Sequence, residues 1–165
     1  MATHEEERHP CTWVVVDSGA TWHMSPYQQL LTSYSPLSHP IIIKLGDGRT
    51  VEASGKGDIH LHTEIGGHVV LQEVLYVPEL NYNLFSIRQA AKRGASTNFS
   101  KHHCSVSVNG EQLLMAMSTH GLYLFKASVY GSNPATSRPT RHPTASPAQK
   151  PSSLDAASLL PGKPR

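Results

Sequence analysis

Three glycine-bearing dipeptides, each set between apolar or β-branched runs, constrain this chain more than any other feature. Asp47-Gly48 divides "PIIIKL" from "RTVEASG", Gly66-Gly67 divides "DIHLHTEI" from "HVVLQEVLYV", and Asn109-Gly110 divides "CSVSV" from "EQLLMAM". Such pairs supply the positive φ angles that tight hairpin turns require, so each predicts two antiparallel strands and a turn. Pro78 stops the strand after the second turn, and "GLYLF" reads as a closing strand. "WVVVD", ahead of them all, is an unbroken apolar run of the kind found in a strand buried on both faces. The resulting expectation is an all-β fold, a small closed barrel of short strands.

One helix interrupts the strands. In "NLFSIRQAAKRGA", Ser86 and Gln89 stand at capping-box spacing, Ile87, Ala90 and Ala91 form a narrow apolar stripe, and Gly94 is placed to end the helix. The stretch from Met24 to Ser38 is polar and turn-prone, with room for a helical turn at "YQQLL". The opening ten residues predict a flexible N-terminus. After about Ala127 the composition turns to Pro, Ser, Thr and Ala, which cannot bury enough surface to offset ordering entropy. The predicted layout is a flexible 1–10, a folded 11–127 and a disordered 128–165.

Net charge is +2 and no Lys/Arg stripe forms, so direct nucleic-acid binding is not expected. No apolar run approaches a membrane span, and the acidic start "MATHEEERHP" has no signal-peptide apolar core. Cys11 and Cys104 are the only cysteines, which fits an intracellular pair of thiols better than a disulfide scaffold, and a cytoplasmic location is expected.

The chemistry concentrates in "WVVVDSGATWHMS", residues 13–25. Aspartic proteolysis uses two facing carboxyls that share one proton: the ionised one takes a proton from water and the neutral one polarises the scissile carbonyl. The loop carrying each carboxylate needs a hydroxyl residue beside it and a glycine that admits close backbone approach. Asp17, Ser18 and Gly19 supply those residue types, followed by Ala20. The competing reading is a plain Asx turn at a strand end, which the tripeptide alone favours.

The longer pattern resembles the protease start of Ty1/copia-type retrotransposon Pol polyproteins, roughly W-hydrophobic-D-S-G-A-[ST]-x-H-[MI]. "KLGDGRTVEASGKGDIHL" and "LQEVLYVPELNYNLFSIRQAAKRGASTNF" follow in the family's order, and "HGLYLF" is similar to the entry into the gag-pre-integrase segment. The resemblance covers about Trp13 to Phe125. It implies a retropepsin-like aspartic protease with Asp17 as the catalytic carboxylate and Ser18, Gly19 and Ala20 bracing it. It further implies a flap at Leu45, Gly46, Asp47, Gly48 and Arg49, and a supporting turn at Leu84, Phe85 and Ser86, where Ser86 replaces the glycine of retroviral enzymes. Only one D-[ST]-G is present. The resemblance therefore implies a homodimer with one Asp17 from each chain on the two-fold axis, acting on polyprotein peptides without cofactor.

The histidines suggest a metal, but "HEEERH" misses H-E-x-x-H by one position, and His60 with His62, or His102 and His103 with Cys104, lack a second pair at zinc spacing. No metal is expected. His23 and Trp22 read as local structural residues, since Ser18 lacks a nucleophile elbow. "SGKGD" does not match a P-loop. The alternative to a protease is a catalytically inactive β-barrel remnant of such a polyprotein, kept as a binding or structural module.

Overall fold

The structure is a computed structural model and describes residues 10–131. The chain enters through β1 (Cys11–Asp17), a short β2 (Met24–Ser25) and a single 3-10 turn at Gln28–Leu30. The long strands β3 (Thr32–Lys44) and β4 (Thr50–Thr63) lead to β5 (His68–Tyr76) and β6 (Asn83–Ser86). The helix α1 (Ile87–Lys92) precedes β7 (Ala95–Phe99), β8 (His103–Val108), β9 (Glu111–Thr119) and β10 (Leu122–Tyr130). The fold is all-β with one short helix, as expected.

Ten strands form one sheet in the order β3-β4-β5-β2-β6-β1-β10-β9-β8-β7, and a further pairing of β4 with β10 bends part of it into a ring. Two strands make this closure possible by changing neighbours partway along. The same side of β4 pairs with β3 through residues 50–58 and then with β10 through residues 60–63. Likewise β10 leaves β9 after Leu124 and meets β4 from Ala127 onward. The sequence suggests two separate strands on either side of "SGKGD". The structure has one fourteen-residue strand there, because both hairpins share it.

All three predicted hairpins form. Asn109 and Gly110 both take positive φ between β8 and β9, and Gly66 does so between β4 and β5. Gly67 is required for a different reason: the backbone of Leu113 occupies the space a Cβ would fill. The Thr63 hydroxyl donates to the Leu113 carbonyl at 2.7 Å, which docks this hairpin tip on β9.

Three differences from expectation have clear causes. Residues 32–38 are strand, not turn: β3 is an edge strand, where proline is tolerated, and Pro40 falls within a register shift between Pro36 and Ile41. Ala91 is exposed, so the apolar contacts of α1 with the core come from Ala90 and Ile87. The last strand continues past Ala127 to Tyr130, because Val129 is fully buried and its amide donates to the Pro10 carbonyl at 2.8 Å. The expected flexible start up to His9 and the expected disorder beyond Gly131 lie outside the described residues. β7 is an additional strand that pairs with β8.

The three valines of β1 show how the core is laid out. Val14 and Val16 pack in one cluster with Phe85, Phe125 and Leu61, while Val15 faces another with Met24, Leu75 and Leu84. Alternate side chains of a strand point to opposite faces, so an uninterrupted apolar run suits a strand with core on both sides. At roughly 25 cal/mol per Å2 of apolar surface, each such valine contributes about 1.5–2 kcal/mol.

Candidate active site

Strand β1 runs parallel to β6, and the register places Asp17 beside Ser86 at the ends of both strands. The turn after β1 therefore abuts the start of α1. Asp17 is only 5% exposed. Its Oδ1 accepts the Gly19 amide at 2.7 Å, so the Asx turn is present and serves to aim the carboxyl. Its Oδ2 is buried with no hydrogen-bond partner among the described residues. Burial pushes the carboxyl up to about 6, against the smaller opposing effect of the Gly19 and Ala20 amides. A carboxyl so placed holds or releases a proton near neutral pH, which general acid–base chemistry requires.

The bracing differs from the expectation in one respect. Ser18 is exposed and makes no hydrogen bond to Asp17; the main chain of Gly19 and Ala20 does the bracing. Ala20 is buried beside Leu84 and Leu45 in the second apolar cluster, which anchors the turn from below.

The predicted supporting turn lies on the other side of the parallel seam. Leu84 and Phe85 face opposite clusters, and Phe85 meets Phe125 edge-on at 6.2 Å between ring centroids. Ser86 is fully buried and caps α1 by accepting the Gln89 amide at 3.1 Å. Its hydroxyl also donates to the Ala20 carbonyl at 2.6 Å, which ties the helix start directly to the Asp17 turn. A glycine at this position could not make either contact.

The predicted flap forms the tip of the β3–β4 hairpin. The Leu45 amide donates to the Arg49 carbonyl at 2.7 Å and the Gly48 amide to the Leu45 carbonyl at 3.0 Å. Gly48 takes φ +88°, a conformation that L side chains rarely adopt. Asp47 accepts the Arg49 amide and pairs with its side chain, which stiffens the tip. Gly46 through Arg49 are exposed, whereas Leu45 is buried in the cluster that holds Ala20 and Leu84. The base of this hairpin and the Asp17 turn therefore share one packing unit.

A buried polar network stabilises the seam, and no local pattern in the sequence points to it. The Asn83 side-chain amide donates to the Thr12 hydroxyl at 2.7 Å and the Trp13 carbonyl at 2.9 Å, and its oxygen accepts the Ser25 hydroxyl at 2.6 Å. It thereby links β1, β2 and β6. Histidines weighed as ligands lie elsewhere: His60 meets the tilted ring of His68 at 6.1 Å between centroids, His62 meets the Tyr130 hydroxyl, and His103 bonds Ser100. Among the described residues no group of three or more His, Cys, Asp or Glu is placed to hold a metal ion. No described helix is long and apolar enough to cross a membrane.

A strand ring with a buried carboxyl, Asp17, at the end of its longer parallel seam defines a small all-β domain with one candidate acid–base site. The chain belongs to the family described as the Pol polyprotein beta-barrel domain, whose model matches residues 13–95. That span contains the Asp17 turn, the β3–β4 tip and the β6–α1 junction. The chain is also 26% identical over 115 residues to the retrovirus-related Pol polyprotein from transposon TNT 1-94 of Nicotiana tabacum. The match covers 70% of this chain and 9% of that protein, so the chain spans about a tenth of its relative's length. The Pol polyprotein origin expected from the sequence is thus established.

Proposed function

We propose that this domain is the aspartic endopeptidase of a copia-type retrotransposon Pol polyprotein, of retropepsin-like type, and that it cleaves peptide bonds in its own precursor. The observation that carries this reading is the Asp17 carboxyl, buried at the end of β1 with Oδ2 unpartnered and its pKa raised to about 6. An isolated buried acceptor is costly, and a second carboxyl sharing a proton with it is the arrangement that removes the cost and creates the catalytic pair.

In this mechanism two chains associate about a two-fold axis, each contributing Asp17. Two carboxylates about 3 Å apart cannot both ionise cheaply, so the pair carries one proton. The ionised member takes a proton from the bound water as its oxygen attacks the peptide carbonyl. The neutral member donates a hydrogen bond to the developing oxyanion. The amide nitrogen is then protonated by the dyad, the C–N bond breaks, and the amine leaves. Residues Leu45 to Arg49 close over the substrate, which lies extended and pairs through its main chain.

The test is cleavage of a peptide mixture from a digested proteome, with new ends read by mass spectrometry. The wild-type chain at mildly acidic pH is expected to yield pepstatin-sensitive cuts that Asp17→Asn abolishes. Absence of any Asp17-dependent cut from a dimeric preparation rejects the protease reading.

A further inference from the structure

The turn from Asp17 to His23 is held at its acceptors by three donors from the β6–α1 junction and one from β5. Ser86 donates through its hydroxyl to the Ala20 carbonyl at 2.6 Å, and Gln89 donates through its side chain to the Thr21 carbonyl at 2.7 Å. The Ser86 amide donates to Nδ1 of His23 at 2.9 Å. On the far side the Leu75 amide of β5 donates to the His23 carbonyl at 2.9 Å. The turn is therefore fixed between β5 and the start of α1.

The role of His23 becomes clear from the helix cap. In a capping box the residue at the third helical position reaches back to the amide of the capping residue. Here Ser86 caps Gln89, but the Ser86 amide is taken by His23 and the Gln89 side chain turns instead to Thr21. One half of a local helix cap has been exchanged for two contacts to the turn that carries Asp17. The exchange needs an acceptor at Nδ1, and an amide can only donate, so the ring must be neutral with its proton on Nε2.

We propose that His23 is a positioning residue for Asp17: as a neutral ring accepting the Ser86 amide, it sets where the carboxyl stands in the dyad. The inference rests on the protease reading for its consequence in catalysis, and on geometry alone for its effect on Asp17. The ring is 3% exposed, packs on Phe85 at 5.2 Å between centroids, and is kept neutral by burial and by the Arg93 guanidinium. Arg93 is the charged group that bears on it, and it also bonds Gln72 of β5. Neither β2 nor β6, with residues Met24–Ser25 and Asn83–Ser86, brings a titratable side chain to it.

Two substitutions separate positioning from simple space filling. His23→Asn keeps an acceptor near the Nδ1 position but gives up the ring; His23→Phe keeps the ring and loses the acceptor. Two readouts on the full chain apply: kcat and KM on the best-cleaved peptide of the mixture, and the titration midpoint of the Asp17 carboxyl by carbon-13 NMR. The expected result is that His23→Asn stays within about threefold of wild-type kcat, while His23→Phe loses about tenfold or more at unchanged KM. The Asp17 midpoint is expected to stay raised in His23→Asn and to fall toward the ordinary carboxylate range in His23→Phe. Should His23→Phe fail to fold, Gln89→Met removes the neighbouring donor and is expected to shift the midpoint in the same direction. A His23→Phe variant with normal kcat and midpoint, or a His23→Asn variant as impaired as it, overturns the proposal. If the wild type makes no Asp17-dependent cut, the protease reading fails, and the NMR midpoints alone decide whether His23 positions the carboxyl.

Discussion

An acid and an imidazole buried on the same turn titrate in opposite senses, and their effects on stability oppose each other. Asp17 is raised from 3.8 to about 6, so the folded chain holds a proton that the unfolded chain has lost. Its contribution is fully present below about pH 4 and is lost as pH rises through 6. His23 is lowered from 6.5 to about 4, so the unfolded chain is the one that holds the extra proton. Its contribution is present above about pH 6.5 and is lost as pH falls through 4. Across pH 4 to 6 the two slopes nearly cancel. Each variant should uncover the other: relative to wild type, Asp17→Asn is expected to gain about 2 kcal/mol between pH 4 and pH 6 in the monomer. An amide side chain at position 17 still accepts the Gly19 amide, so the turn is kept. His23→Asn should do the reverse, with a stability that falls as pH rises over the same range. Urea denaturation at a series of pH values measures both, and parallel profiles for all three chains would show that neither group is buried as described. Residue 17 was legible in the sequence because its motif is contiguous. The orphaned Oδ2 was not, since burial of an atom depends on strands distant in the chain.

At the scale of elements, the seam between β1 and β6 depends on Asn83. Replacing it with Leu keeps the volume but leaves the hydroxyls of Thr12 and Ser25 and the Trp13 carbonyl without their partner. A loss of about 3 kcal/mol or more is expected by urea denaturation. Ser25→Ala should cost less, about 1–2 kcal/mol, because it removes one bond to Asn83 and one from the Tyr27 amide. A cost for Asn83→Leu within error of zero would mean that the network is not formed. The cap of α1 and the three hairpin tips were legible because their partners lie within a few residues. Asn83 was not, since its partners lie 58 and 71 positions away. The β3 segment over residues 32–38 escapes local reading for a related reason: its prolines are tolerated only because the strand ends up at an edge, which is a property of the sheet.

For the molecule as a whole, ring closure rests on the last few residues of β10. Ser128, Val129 and Tyr130 pair with His62, Leu61 and His60, and Val129 is fully buried. A chain ended at Ala127 is expected to lose about 3 kcal/mol relative to one ended at Gly131, with a melting temperature lower by roughly 10 °C. Calorimetry of the two chains measures this, and equal melting temperatures would show that the ring does not depend on that pairing. Assembly gives a second expectation at this scale. If the dyad is built from two copies, specific activity should rise with protein concentration and follow the dimer fraction seen by sedimentation. Activity that stays constant on dilution into the monomer range is incompatible with a shared site. The all-β class and the presence of a turn-borne acid were legible from local pattern. The exchange of neighbours by β4 and β10 was not, because periodicity does not specify which strands meet.

The pairing of β1 with β10 also has a consequence in time. Cys11 lies opposite Ser128, so the first of these strands to leave the ribosome must wait for the last before the sheet can close. The turn that holds Asp17 follows directly on β1 and is exposed to the same delay. During translation, this domain stays unfinished until Tyr130 has cleared the exit tunnel. Synthesis itself thus sets the earliest moment at which the carboxyl can be buried.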